Sequence, residues 1–424
     1  MNASNHPKTI IIGGGIVGLC CAYYLKKQGR EVIIIEKNSA ENTSACSYGN
    51  AGLLVPSHFI PLAAPGVIAQ GIKWMFNARS PLYVHPRLDR KLLAWMWNFH
   101  KSATTQHVQQ SAPLLRDLNQ LSKSLYREMI AEENLDVSLS EKGLLMVCKT
   151  EKYLEEERKT AEQANNIGIE ARMLNVEELH ELEPQLAIDA LGASYYPGDA
   201  HFTPQRMMKA LRNYLLENGV DILYHTTVQD FQRSGNQLKS ILTDKKEHIQ
   251  ADEVILATGS WTGKLAQKLS LTIPVQAGKG YSFETDNSVL PLTIPSILTE
   301  AKIAITPMEG EVRFAGTMEL GTFTATINHK RLNTIKQSIP HYYPEVTIEK
   351  LDSIKPWSGL RPCSPDGLPY IGRSKHISNL IVASGHAMMG MSLGAVTGKL
   401  VSEIALRQTP SLPLDLLKVD RFGK

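Results

Sequence analysis

The stretch from Lys8 to Lys37 constrains what this chain can fold into. An apolar run, Lys8-Thr9-Ile10-Ile11-Ile12, breaks into Gly13-Gly14-Gly15-Ile16-Val17-Gly18. A helical pattern follows to Gln28, Gly29 stops it, and Glu31-Val32-Ile33-Ile34-Ile35 leads to Glu36. Strand, glycine-rich turn, helix and strand make a βαβ start with G-x-G-x-x-G in its first turn. The glycines serve different ends. Gly13 allows the tight turn, Gly15 allows close approach to a pyrophosphate, and Gly18 allows helix–strand packing. The helix N-terminus, with Ile16 and Val17, offers N–H groups and a positive dipole end to phosphates. Glu36 ends a strand that is otherwise apolar, where its carboxylate can accept ribose hydroxyls, and Lys37 follows it. An ordinary strand–turn–helix does not explain an acid at that position.

The 424 residues, 43% of them hydrophobic, suffice for a large core and two domains. A formal net charge of +3 gives no footing for nucleic acid. Five cysteines (Cys20, Cys21, Cys46, Cys148 and Cys363) are scattered without a C-x-x-C pair. They read as reduced thiols in a cytoplasmic compartment. The motif strand begins by residue 8, which leaves no room for a secretory signal, and no apolar run is long enough to span a bilayer. His180-Glu181 lacks the second histidine of a zinc helix, so no metal is assigned.

Further along, Asn42 to Gly52, with Ser44, Ser47, Tyr48, Gly49, Asn50 and Ala51, is small, polar and glycine-bearing. It suits backbone N–H groups aligned against a flat polar ligand, although residue types alone favour a plain surface loop. Phe59 to His100 combines Trp74, Met75, Phe76, Trp95, Met96, Trp97 and Phe99 with basic residues. It reads foremost as short buried helices, with Leu88 to Phe99 amphipathic, and secondly as a peripheral membrane face. Helices are expected over Ser111–Glu133, Thr150–Gly168, Val176–Pro184 and, capped by Thr203 with Pro204 behind it, to Asn218. Thr227–Phe231 (with Val228), Lys239–Thr243 and His248–Gln250 suggest a small antiparallel excursion. A buried strand from Glu253 breaks into Ala257-Thr258-Gly259, and Ile273–Phe283, Ile294–Thr306 and Glu311–Thr317 alternate like antiparallel strands. Near the C-terminus come Trp357-Ser358-Gly359-Leu360-Arg361-Pro362 and then Gly385-His386-Ala387-Met388-Met389-Gly390-Met391, opening a helix.

Together these anchors resemble the D-amino acid oxidase-like (DAO, glycine oxidase) superfamily of flavoenzymes, and within it the bacterial D-amino acid dehydrogenases. The resemblance runs nearly end to end. It implies an α/β fold: a Rossmann-like FAD-binding domain and an α+β substrate domain with a mixed or antiparallel sheet. The expected FAD-binding domain is discontinuous (1–85, 199–260 and 352–424), with the substrate domain at 86–198 and 261–351. The resemblance further implies FAD with its pyrophosphate over Gly13, Gly15 and Gly18. The isoalloxazine would lie along Ser47 to Gly52, and the dipole of a helix starting after His386 would point at it. No cysteine lies between Cys148 and Cys363, so the flavin is expected to be noncovalent.

Arg361 would face a substrate carboxylate, because its planar fork binds bidentately; a phosphate clamp or a structural ion pair is the alternative. Tyr48 and Tyr281 are candidates for orienting the substrate, and core tyrosines with one hydrogen bond are the equal alternative. His386 could assist, although its neighbours suggest a cofactor turn. The implied reaction is oxidation of a D-amino acid to the imino acid, with electrons passed to a quinone or another acceptor. Met388-Met389-Gly390-Met391 departs from the usual D-amino acid dehydrogenase segment toward relatives that act on hydroxylated D-proline, which leaves the substrate open. An oxygen-using oxidase of the glycine or sarcosine type is a further alternative. An NAD enzyme and a flavin-bearing scaffold without turnover rank below these.

Overall fold

The computed structural model describes residues 7–41, 44–67, 82–84, 89–321, 323–352 and 354–423. Lys8–Ile12 pairs in parallel with Glu31–Ile35 on one side and Glu253–Leu256 on the other. Asp221–Leu223 and Leu380–Ser384 extend this sheet in parallel, and Tyr370–Arg373 closes one edge antiparallel. Ile10, Ile11, Val254, Ile255, Ile381 and Val382 are all fully buried. Such unbroken apolar strands arise where helices cover both faces of a parallel sheet. Each buried aliphatic side chain contributes about 1.5–3 kcal/mol. Because Glu253–Leu256 and Glu31–Ile35 flank Lys8–Ile12 on opposite sides, the strand order reverses there. A ligand crevice therefore opens at the carboxyl ends of these strands.

The fingerprint helix, Ile16–Lys27, shares one apolar cluster with residues of Thr105–Glu132, Pro204–Glu217 and Gly394–Ala405. Cys20 and Cys21 are fully buried in it, and burial pushes the Cys20 thiol up to about 12. The long helix begins at Thr105, not at the expected Ser111, and runs through Pro113. Proline costs that helix a backbone hydrogen bond, and burial of Leu114, Leu115, Leu118 and Tyr126 outweighs the loss.

A second, nine-stranded mixed sheet has the order Trp357–Cys363, Gln276–Asp286, Glu311–Leu320, Ile303–Pro307, Ser296–Leu298, Leu144–Cys148, Gly192–Tyr196 and Arg172–Leu174, with Leu82–Val84 paired to Glu311–Leu320. Trp357–Cys363, expected with the cofactor domain, instead pairs along its whole length with Gln276–Asp286. Seven residues of continuous register outweigh its neighbourhood in sequence. One face of this sheet buries Tyr281, Phe283 and Phe314 beneath Leu332 and Ile335. The other carries Met318, Leu320 and Cys363 beneath Trp95. The small antiparallel sheet forms from Val228–Ser234, Gln237–Thr243 and His248–Gln250.

Other expectations need adjustment. Thr203 is the N-cap of Pro204–Glu217, but its hydroxyl makes no capping bond. The helix expected directly after His386 starts only at Gly394, because Met388 to Leu393 form turns. The amphipathic helix spans Arg90–Ser102. Its Trp95 is core, donating Nε1–H to the Cys363 carbonyl at 2.9 Å. Trp97, Leu93 and Met96 are 59%, 54% and 40% exposed. Trp74, Met75 and Phe76 lie outside the described residues. Among the described residues no helix is long and apolar enough to cross a membrane.

Candidate functional site

The crevice at the strand switch is a cavity of about 350 Å³. The fingerprint glycines shape this turn in three different ways. Gly13 has φ +110°, and an added Cβ would lie 2.5 Å from the Ala257 carbonyl oxygen, so only glycine lets Ala257-Thr258 cross beneath it. At Gly18 a Cβ would come within 1.9 Å of the Gly13 carbonyl oxygen, which makes it a packing glycine. A Cβ on Gly15 would meet only Ser47 Oγ, at 3.6 Å. Among the described residues no neighbouring group accounts for its lack of a side chain; the open space beside it does. That cradle at a helix N-terminus fits a pyrophosphate.

Glu36 is held in the crevice by two backbone donors, Gly14 N–H at 2.8 Å and Asn38 N–H at 2.9 Å. The loop beside it is tied to the same turn, with the Ile16 N–H donating to Ser47 Oγ at 3.1 Å. Of the expected cofactor residues, Gly13, Gly15, Ile16, Val17, Glu36, Lys37, Ser44, Ser47, Asn50, Val228, Ala257, Thr258, Gly259, His386 and Gly390 line this cavity. Thr226, Thr227, Ser260, Trp261, Lys264, Pro362 and Met391 also line it and were not anticipated. Most of these are sequence neighbours of anticipated residues. The Lys37 ammonium lies 3.3 Å from the Trp261 ring centroid. Burial holds it below the usual lysine range, with Lys264 adding to this and Glu36 opposing.

Gly18, Gly49, Ala51, Gly52, Gly385, Met388 and Met389 stand outside the lining. Gly52 and Gly385 are turn residues, hemmed in by the Phe202 carbonyl and the Tyr370 ring. Met388 is 42% exposed and contributes its carbonyl, which accepts from Asn50 Nδ2 at 3.1 Å. Asn50 Oδ1 accepts from the Gly52 N–H at 2.8 Å. Its own carbonyl is gripped by Arg313, a buried arginine whose Nε donates to Glu284 at 2.7 Å. Arg313 therefore ties the Ser47–Gly52 loop to the second sheet, a role that no local pattern signals.

His386 is buried, and its Nε2 lies 2.9 Å from Thr397 Oγ1. The Thr397 hydroxyl spends its hydrogen on the Leu393 carbonyl at 2.7 Å, so the geometry assigns the Nε2–H tautomer. Burial pulls the imidazole down to about 3. It is neutral at physiological pH and fits the cofactor turn better than a proton-transfer role.

Arg361 lies at the edge of this assembly, on the second sheet. Its Nη1 donates to the Thr317 carbonyl at 2.6 Å. Thr317 has φ +59° and sits where the register between Gln276–Asp286 and Glu311–Leu320 slips. Such a bulge re-aims the chain next to sites, and here it turns a carbonyl toward the arginine. The Thr317 hydroxyl is buried without a partner. The guanidinium lies over Gly280, where a Cβ would be 2.5 Å from Cζ.

The two tyrosines do not join Arg361. Tyr281 pairs with Ser358, so it lies on the opposite face of the sheet from Arg361, because side chains alternate along a strand. There its hydroxyl donates to Glu319 at 2.5 Å, with Lys279 and Arg331 each 3.6 Å from the same carboxylate. Burial and that carboxylate push the phenol well above its usual range. Tyr48 points into a separate recess shared with Arg212 and Tyr224, on the Glu36 side. Neither can be assigned a place against a substrate on Arg361.

Comparison with known proteins adds to this geometry. The family model described as DAO, FAD dependent oxidoreductase, matches residues 8–404. The chain is 33% identical over 400 residues to a D-amino acid dehydrogenase of Helicobacter pylori (strain ATCC 700392 / 26695), covering 94% of each. It is 31% identical over 426 residues to a D-amino acid dehydrogenase of Vibrio vulnificus (strain CMCP6), covering 97% of this chain and 99% of that one. The fold matches glycine oxidase from Geobacillus kaustophilus with a TM-score of 0.79 at 24% identity, covering 98% and 99%.

Proposed function

We propose, from the premise that this chain belongs to the DAO family of FAD-dependent oxidoreductases, that it is a D-amino acid dehydrogenase. The cradle at Gly15, the carboxylate of Glu36 and the neutral His386 turn fit FAD. FAD, when bound there, supplies the acceptor for the two electrons of the oxidation. The observation that carries the substrate assignment is Arg361. One of its nitrogens is committed to the Thr317 carbonyl, which fixes the direction of the guanidinium and leaves Nε and Nη2 for a carboxylate.

With the carboxylate so held, the α-carbon would lie toward the Ser47–Gly52 loop, which the Trp357 ring joins to this strand at Gly49. The amine is taken to arrive neutral, because among the described residues neither His386 nor Tyr281, the two proton-transfer candidates, is suited to take its proton. Burial pulls His386 down to about 3, and Tyr281 faces away with its phenol pushed well above its usual range. The α-hydrogen leaves as hydride, the nitrogen lone pair closes the C=N bond, and a proton is lost from nitrogen to water. Water then adds to the imine, giving the 2-oxo acid and ammonia.

We further propose a quinone or similar carrier as the final acceptor, and peripheral contact with a cytoplasmic membrane surface through Leu93, Met96 and Trp97, which are exposed with Lys101 beside Trp97. Flotation with anionic vesicles at low salt tests the contact, and binding unchanged in Trp97→Ser would refute it. The function itself is tested by anaerobic bleaching of the yellow protein with D-amino acids. Arg361→Lys should keep its flavin and lose most of the bleaching rate. A variant that loses flavin instead would assign Arg361 to the cofactor.

A further inference from the structure

Gly280 and Gly359 face each other directly across the pair of strands Gln276–Asp286 and Trp357–Cys363. They form a floor without Cβ atoms, and two side chains lie on it. The Arg361 guanidinium covers Gly280, where a Cβ would be 2.5 Å from Cζ. The Trp357 indole covers Gly359, where a Cβ would be 2.0 Å from Cη2. Directly opposed positions stand roughly 5 Å apart, so guanidinium and indole lie side by side. The same indole reaches the loop beneath the expected flavin: a Cβ on Gly49 would be 2.0 Å from its Cε3. Two glycines on two separate segments, Gly49 and Gly359, thus make room for one half-buried ring. That ring bridges the second sheet to the cofactor loop and closes the space next to Arg361.

We propose that Trp357 is the wall that sets substrate size, restricting the enzyme to amino acids with short side chains or a single compact ring. This rests on reading Arg361 as the carboxylate partner. A substrate anchored there lies beside the indole, which bounds the space for its Cα substituents. Bulk beyond a few carbons must displace the ring, and Gly49 and Gly359 leave it no slack to lean away while the loop is in place. An apolar wall separates substrates by roughly 10- to 200-fold per methylene-sized difference.

The test uses the flavin-loaded full chain and reads kcat/KM for D-alanine, D-proline and D-phenylalanine. Carboxylates without an oxidisable amine (pyrrole-2-carboxylate, benzoate and 2-naphthoate) are titrated against the flavin absorbance. In Trp357→Ala the ratio of D-phenylalanine to D-alanine should rise at least about tenfold, and 2-naphthoate should bind tighter by a similar factor, with flavin content unchanged. Gly359→Ala keeps the tryptophan but drives its ring off the floor, where a Cβ would stand 2.0 Å from Cη2, so it should also change this ratio by more than about twofold. A ratio within about twofold of the parent in both folded variants would overturn the wall. If Arg361→Ala abolishes binding of every carboxylate while the size order ignores Trp357, only the wall fails. If carboxylate binding ignores Arg361, the functional reading fails with it.

Discussion

Replacing Gly280 by alanine isolates the placement of Arg361 from its chemistry. Gly280 does not use a left-handed backbone, so alanine fits its conformation. The added Cβ would stand 2.5 Å from Arg361 Cζ and Nη2, whereas ordinary contact begins near 3.4 Å. The guanidinium must therefore move by about 0.9 Å, and its 2.6 Å bond to the Thr317 carbonyl stretches or breaks. A misplacement of about 1 Å costs on the order of 100-fold in rate, or roughly 2.7 kcal/mol. The clash falls on the end of a flexible side chain, so stability should change little. We expect Gly280→Ala to purify with its full complement of FAD, melt within a few degrees of the parent and lose about 100-fold in kcat/KM for every D-amino acid. Gly359→Ala, its neighbour across the strands, moves Trp357 and should leave D-alanine oxidation within severalfold. Steady-state kinetics with flavin content and thermal unfolding read all of this. Parental kcat/KM in a folded, loaded Gly280→Ala would refute the placement, and a large loss of stability instead would mean that this glycine serves the sheet.

Other expectations follow from the same geometry. Gly15→Val should fold but bind no FAD, because its side chain enters open space, whereas Gly18→Ala should lower the melting temperature, because its Cβ meets the Gly13 carbonyl at 1.9 Å; flavin content and calorimetry separate the two. Acid precipitation should release the yellow colour into the supernatant, and colour kept in the pellet would point to Cys46, a thiol in the cavity lining. Stability should fall as pH drops from about 6.5 to 4. Burial pulls His58 and His201 to about 4 and His386 to about 3, so the unfolded chain takes up three protons that the folded one refuses. Asp199 opposes them: burial pushes its carboxyl up to about 7, so the folded state gains one proton over the same window. The net slope is on the order of 2.7 kcal/mol per pH unit at most. A denaturant midpoint that stays flat across that range would contradict the burial of these groups.

The sequence alone determined what is local. The turn Gly13–Gly18, the acid Glu36 and the break at Ala257-Thr258-Gly259 are each written within a few residues. Their physics, close backbone approach and helix-end polarity, needs no distant partner, so the residues that carry it, Gly13, Gly15, Glu36, Ala257, Thr258 and Gly259, line one cavity. Strand and helix existence was likewise legible wherever periodicity was strong. Long-range register was not. Whether Tyr281 shares a face with Arg361 depends on which residues pair across the Gln276–Asp286 and Trp357–Cys363 strands. A slip of one residue would invert the answer. The grip of Arg313 on Asn50 joins positions 263 residues apart. Tertiary structure decided these points because hydrogen-bond register and burial bring together side chains whose types, taken one at a time, describe only an ordinary strand.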